Sequence, residues 1–314
     1  MTTNPTNQHT ASWPDATRPA LPPHAASRTE PTILTIANGG GSAGKTTTAV
    51  TLAALHARTG HRVLVVDADG QGTATTWLGV DQTPDMPNLG HVLLKQADAS
   101  QAIVASTTPG VDVLPATPAF TGLVMQLNGL VGKDMALKTA LHHVTGYDLI
   151  LIDCPGDINI ITTAAILAAT RILTTTFAED KEIQGIVRLI ATITELADAY
   201  THLSLTAHLD AIVPCSVPAA NRGTYYVNAL DFLHTQDWDA TVTNPVRQSV
   251  RVPESRTARQ PLPDYSPTEA VTDDYPGERP WEFTGGSIRQ VQVNVSGKPY
   301  VDLEREAVAM MARE

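Results

Sequence analysis

The chain has 314 residues, 42% of them hydrophobic and 5% aromatic, with a formal net charge of −11. The acidic balance works against attraction of the whole surface to nucleic acid or anionic lipid, and two cysteines, Cys154 and Cys215, are too few for a disulfide framework. The apolar runs all fall short of the ~20 residues needed to span a bilayer, so a cytoplasmic location and no membrane contact are expected.

Residues 1–30 are rich in Pro, Thr, Asn and Ala without an apolar h-region, and read as a disordered tail in which Trp13 is an isolated aromatic. Thr32 to Ala37 is a short β-rich run, followed by a glycine cluster and by an Ala-rich segment from Lys45 to Thr59 that suits a buried helix closed by Gly60. Arg62 to Asp67 is then a continuously apolar strand, completing one βαβ unit. From Leu89 to His143 helical periodicity is interrupted by one strand candidate, Val111 to Pro115. Tyr147 to Asp153 is the clearest strand. After it come a helix (Ile160 to Ala169), a strand (Arg171 to Phe177), a helix (Ile183 to Tyr200) and a strand (Asp210 to Val217). This alternation predicts an α/β fold, a doubly wound and mostly parallel sheet flanked by helices, with its ligand at the carboxyl ends of the strands. From Asn244 to Glu282 the alternation lapses. A small hairpin over Gly285 to Lys298 and a closing helix over Val301 to Met311 are predicted, so residues 31–314 read as one domain with an irregular insertion around 261–298.

Gly39, Gly40, Gly41, Ser42, Ala43, Gly44, Lys45 and Thr46, followed by Thr47, fit the phosphate-binding pattern G-x-x-x-x-G-K-[ST] between a strand and a helix. Glycines let successive backbone N–H groups and the helix N-terminus face phosphate oxygens. Lys45 reaches the β and γ phosphates, and Thr46 places its hydroxyl on magnesium. Mg-ATP binding is therefore expected. Asp153, at the end of an apolar strand, is the expected second metal-site group, against the simpler reading of a strand-end Asp capping the turn at Pro155. Asp67 and Asp69 close the second strand, expected beside the phosphate loop. There Asp69 orients an attacking water and Asp67 orders the metal shell, unless the pair is merely an Asp/Gly turn.

Taken together, the glycine loop, the stretch Val65 to Thr75 with Leu78-Gly79, and Tyr147 to Pro155 resemble the ParA/MinD family of ATPases. The middle stretch is similar to the D-x-D-P-Q-G-N-A-T of the ParA branch and the last to its Y-D-x-I-x-I-D-C-P. The resemblance runs from about Thr32 to Tyr275 and implies a slow ATPase that forms a homodimer around two ATP molecules. One departure stands out: Gly40 occupies the place of the family's signature lysine, which crosses to the partner's nucleotide, and Ser42 replaces a glycine. Some cargo-positioning relatives supply a lysine from a later segment. Lys181 is the candidate here, against an ordinary solvated lysine among acids.

The resemblance further implies nonspecific DNA binding in the ATP-bound state and a ParB-like adaptor or cargo protein as partner. Arg247, Arg251, Arg256 and Arg259 form the candidate phosphate-contacting segment, similar to the family's late V-R-x-S-E-A-P stretch; the alternative is a solvated loop. A membrane-binding tail is not expected, because the C-terminal segment is acidic rather than basic and amphipathic. Two rival functions remain: a metabolic ATP-dependent ligase of the same superfamily, which needs a second substrate pocket, and a regulatory relative that binds nucleotide without hydrolysing it.

Overall fold

The computed structural model describes residues 30–41, 44–201, 207–218 and 223–275. The tail with Trp13, Ser42 and Ala43 of the loop, and the hairpin and closing helix expected beyond residue 275 lie outside the described residues. In chain order the elements are β1 (Thr32–Ala37), α1 (Lys45–Arg58), β2 (Val63–Asp67), α2 (Thr73–Trp77), α3 (Leu89–Leu93), α4 (Ala99–Ala102) and β3 (Val104–Ala105). There follow β4 (Val111–Leu114), α5 (Phe120–Leu127), α6 (Ala136–His142), β5 (Leu149–Asp153), α7 (Ile160–Ala168), β6 (Arg171–Phe177) and α8 (Asp180–Ala199). The chain continues through β7 (Leu209–Cys215), α9 (Thr224–Thr235), β8 (Thr241–Val242), α10 (Arg251–Thr257), α11 (Leu262–Tyr265) and α12 (Ala270–Asp274).

Among the described residues the strands form one eight-stranded sheet in the order β3-β4-β2-β5-β1-β6-β7-β8. Every pairing is parallel except that of the short edge strand β3 with β4. All five residues of β2 and of β5 are buried, as expected of strands covered on both faces. One layer places α3, α5, α6, α7 and α8 around Leu114, Leu137, Ile161 and Leu189. The opposite layer packs α1, α2, α11 and α12 around Val50, Trp77, Leu262 and Val271. The sheet is therefore doubly wound.

The order also settles which strands flank the loop-bearing one. β2 does not lie beside the loop-bearing strand β1, because β5 is inserted between them, paired Thr32↔Leu149 to Ile36↔Asp153 on one side and Val63↔Leu149 to Asp67↔Asp153 on the other. The continuously apolar β5 takes the central position, where neither of its faces meets water. As a consequence Asp67 and Asp153 are register partners at the carboxyl edge.

Residues 244–275, expected to be irregular, fold into three short helices strapped over α1 and α2. The Trp77 indole donates to the Gln260 carbonyl (2.8 Å), and Arg58 pairs with Asp264 (2.8 Å). Arg247 binds Asp274 through Nε (2.6 Å) and Nη2 (2.7 Å).

Candidate active site

The loop after β1 is anchored at its base by Asn38, fully buried, whose amide donates to the Thr175 carbonyl (2.6 Å) and whose Oδ1 accepts from the Gly40 N–H (3.0 Å). Gly41 and Gly44 sit at φ +67° and +86°, where an L side chain is strained. A Cβ on Gly44 would in addition lie 3.1 Å from the Cys215 Sγ at the end of β7. Gly44 caps α1 without any side-chain hydrogen bond, which leaves the helix N-terminus open to an anion. Lys45, only 5% exposed, folds back so that Nζ donates to the Gly41 carbonyl (2.9 Å). Burial lowers its pKa, opposed by the fields of Asp153, Cys154, Asp69 and Glu182.

Asp153 is fully buried; the Thr46 hydroxyl lies near enough to lower its pKa, but neither carboxylate oxygen has a well-formed hydrogen bond among the described residues. Burial and the nearby Asp67 hold its pKa well above the carboxylate range, and the Thr46 hydroxyl and Lys45 only partly offset them. A buried carboxylate so placed is suited to a cation. That orphaned pair of oxygens beside Thr46 fits magnesium, an ion that takes one or two protein oxygens and fills its shell with water and phosphate. Among the described residues there is no cluster of three His, Cys, Asp or Glu suited to another metal. Asp67 is committed differently. Its Oδ2 accepts from the Thr75 N–H and hydroxyl, both at 2.7 Å, and its Oδ1 from the Asp69 N–H at 3.3 Å. Burial raises its pKa to about 6. Asp67 therefore organises the turn into α2, and Asp69, half-buried with Oδ1 accepting from the Gln71 N–H (2.9 Å), is the more accessible carboxylate. Burial raises the thiol pKa of Cys154 and pushes that of Cys215 up to about 12, so neither is a nucleophile.

A family model described as an AAA domain matches residues 31–206, more than half of the chain. The chromosome partitioning protein ParA of Caulobacter vibrioides is 36% identical over 164 residues. That match covers 51% of this chain and 61% of the relative, so this chain spans about three fifths of the curated relative's length. The chain belongs to the ParA/MinD family of P-loop ATPases. The fold agrees: apo McdA from Cyanothece superposes with a TM-score of 0.70 over 78% of this chain and 97% of that one, at 21% identity. Cobyrinic acid a,c-diamide synthase from Mycobacterium smegmatis, solved with ADP and magnesium, gives a TM-score of 0.63 at 27% identity, covering 73% of this chain and 93% of that one.

In this ParA/MinD-family chain the structure gathers Gly39 to Gly41, Gly44, Lys45, Thr46, Asp67, Asp69 and Asp153 at the carboxyl edge of the central strands. Lys181 lies in the first turn of α8, next to that edge, with its side chain outside the described part of the structure. The four arginines do not form an open patch. Arg247 is tied to Asp274, Arg251 to Glu254 (2.9 Å) and Glu269 (3.2 Å), and Arg259 to Asp81 (2.7 Å). Arg256 alone of the four is exposed and has no acidic partner among the described residues. Sequence reasoning missed Glu182, Gly185 and Arg188 of α8, which lie against the loop although they follow it by about 140 residues. The only local signal was one glycine inside a helical pattern.

Proposed function

We propose that this chain is a ParA-like ATPase that binds Mg-ATP in the loop before Lys45, dimerises on ATP, binds DNA non-specifically, and segregates or positions plasmid or chromosomal DNA or another cargo. The observation that carries this reading is the pairing of an uncapped helix N-terminus and a buried Lys45 with the buried Asp153 carboxylate, whose oxygens protein donors leave unoccupied. Thr46 and Asp153 would hold magnesium, which would supply charge neutralisation to the phosphates. Lys45 exchanges the Gly41 carbonyl for phosphate oxygens. Asp69, with access to solvent, orients the attacking water, and Asp67 fixes the turn that carries Asp69. Lys181 serves as the charge lent across the dimer. Slow, partner-stimulated hydrolysis then removes γ-phosphate contacts that favour the dimer, which releases DNA and adaptor.

The DNA component draws on the ParA relative and on the exposed Arg256. Retention of the full chain on nonspecific duplex DNA, measured with and without Mg-ATP across a salt series, tests it. ATP-dependent retention that weakens with salt is expected; retention indifferent to ATP overturns the partition reading. Lys45→Ala abolishes ATP uptake in calorimetry, and Asp69→Ala accumulates a nucleotide-bound dimer in light scattering. A second reading, an ATP-dependent synthetase, draws on the likeness to the cobyrinic acid a,c-diamide synthase. It predicts ATP turnover that needs a small acceptor and ignores DNA.

A further inference from the structure

The phosphate loop does not stand alone at the sheet edge: one face of α8 is laid directly against it. Gly185 makes this possible. A Cβ there would lie 2.7 Å from Asn38 Oδ1 and 3.0 Å from the Gly40 nitrogen, and a Cβ on Gly39 would collide with the Gly185 carbonyl. Glu182 and Arg188, one helical turn to either side of Gly185, share its face. The Glu182 carboxylate, 7% exposed and with Oε2 lacking a partner, lies where a Gly41 side chain would begin, 2.6 Å from that Cβ position. The Arg188 guanidinium does the same at Gly40, with Nη2 2.8 Å from the Cβ position. Among the described residues no carboxylate pairs with Arg188.

This arrangement is electrostatically unfinished. Asp69 and Glu182 bring carboxylates to the loop beside the buried Asp67 and Asp153, whose pKa values burial raises, and Lys45 is the one buried lysine or arginine facing them among the described residues. A triphosphate with its magnesium still carries net negative charge, which a further cation at the loop would offset. Lys45 Nζ marks the γ-phosphate end of the loop by its contact with Gly41, and Arg188 sits over the adjacent Gly40. A guanidinium is suited to that task, since its planar donors can bind two phosphate oxygens together.

We propose that Arg188 is a phosphate-contacting residue of the nucleotide site, specific for the γ-phosphate end, and so lets the loop distinguish a nucleoside triphosphate from a diphosphate. The proposal rests on the nucleotide-binding reading above and deepens it. Calorimetric titration of the full chain with Mg-AMPPNP and with Mg-ADP tests it, using the parent, Arg188→Ala and Arg188→Lys. Arg188→Ala weakens AMPPNP roughly tenfold and leaves ADP within about twofold, and Arg188→Lys recovers part of the loss, as expected for one charge-assisted contact. Parent-like AMPPNP affinity in Arg188→Ala, or equal losses for both nucleotides, overturns this assignment alone. A parent that takes up neither nucleotide overturns the nucleotide reading with it. Because Arg188 is exposed, both variants keep the parent's unfolding midpoint; a lowered midpoint in both, with binding lost for both nucleotides, assigns Arg188 to structure instead.

Discussion

Asp153 carries a cost in the ligand-free protein that its position makes unavoidable. A carboxylate buried without a well-formed hydrogen bond costs the fold free energy. Asp153→Asn is accordingly expected to raise the stability of the ligand-free chain by about 1–3 kcal/mol in urea unfolding, and to remove the magnesium dependence of ATP binding. A less stable Asn variant would show that the carboxylate has a structural partner instead. Asp67 contrasts with it at the same edge. Both of its oxygens are occupied by backbone and hydroxyl donors, so a sequence in which the two aspartates look alike resolves into one group that protein donors occupy and one that they leave open.

Among the elements, α1 links the site to the stability of the whole layer. It begins at the uncapped Gly44 and ends near His56, which is 6% exposed and edge-on to His61. Burial, with His61 adding to it, lowers the His56 pKa to about 4. The folded state therefore holds His56 neutral while the unfolded chain protonates near pH 6.5, so its contribution is complete above pH 6.5 and is lost as pH falls toward 4. That loss amounts to roughly 3 kcal/mol. Unfolding free energies of the parent should fall over this window, and those of His56→Gln should fall by markedly less; parallel curves would refute the assignment. In α8, by contrast, the informative residue is one that lacks a side chain. Gly185 looks like a defect in a helical pattern until the Gly39-Gly40 backbone is seen packed against it.

For the whole molecule, the late arginine-rich segment works chiefly as a strap. Arg247 and Asp274 form a two-pronged pair in which the carboxylate is 1% exposed, joining the chain after β8 to α12. Arg247→Ala would leave that charge buried and is expected to destabilise the protein by about 3 kcal/mol, with Asp274→Asn in the same chain restoring part of the loss. Unfolding by urea reads both variants. If Arg247→Ala leaves stability unchanged and instead weakens DNA retention, the segment serves nucleic acid rather than the fold. No helix among the described residues is long and apolar enough to cross a membrane.

The phosphate loop, the apolar strands around it and the doubly wound class were legible in the sequence, because each rests on local chemistry: glycines before a Lys-Thr pair, and strands apolar on both faces. Strand boundaries fell within a residue or two for the same reason. The neighbours of those elements were not legible. Insertion of β5 between β1 and β2, the arginines closing on acids as far apart as Asp81 and Asp274, and the descent of Glu182 and Arg188 onto the loop are contacts between segments distant along the chain. Composition and periodicity report which face of an element is buried; only packing decides what that face is buried against.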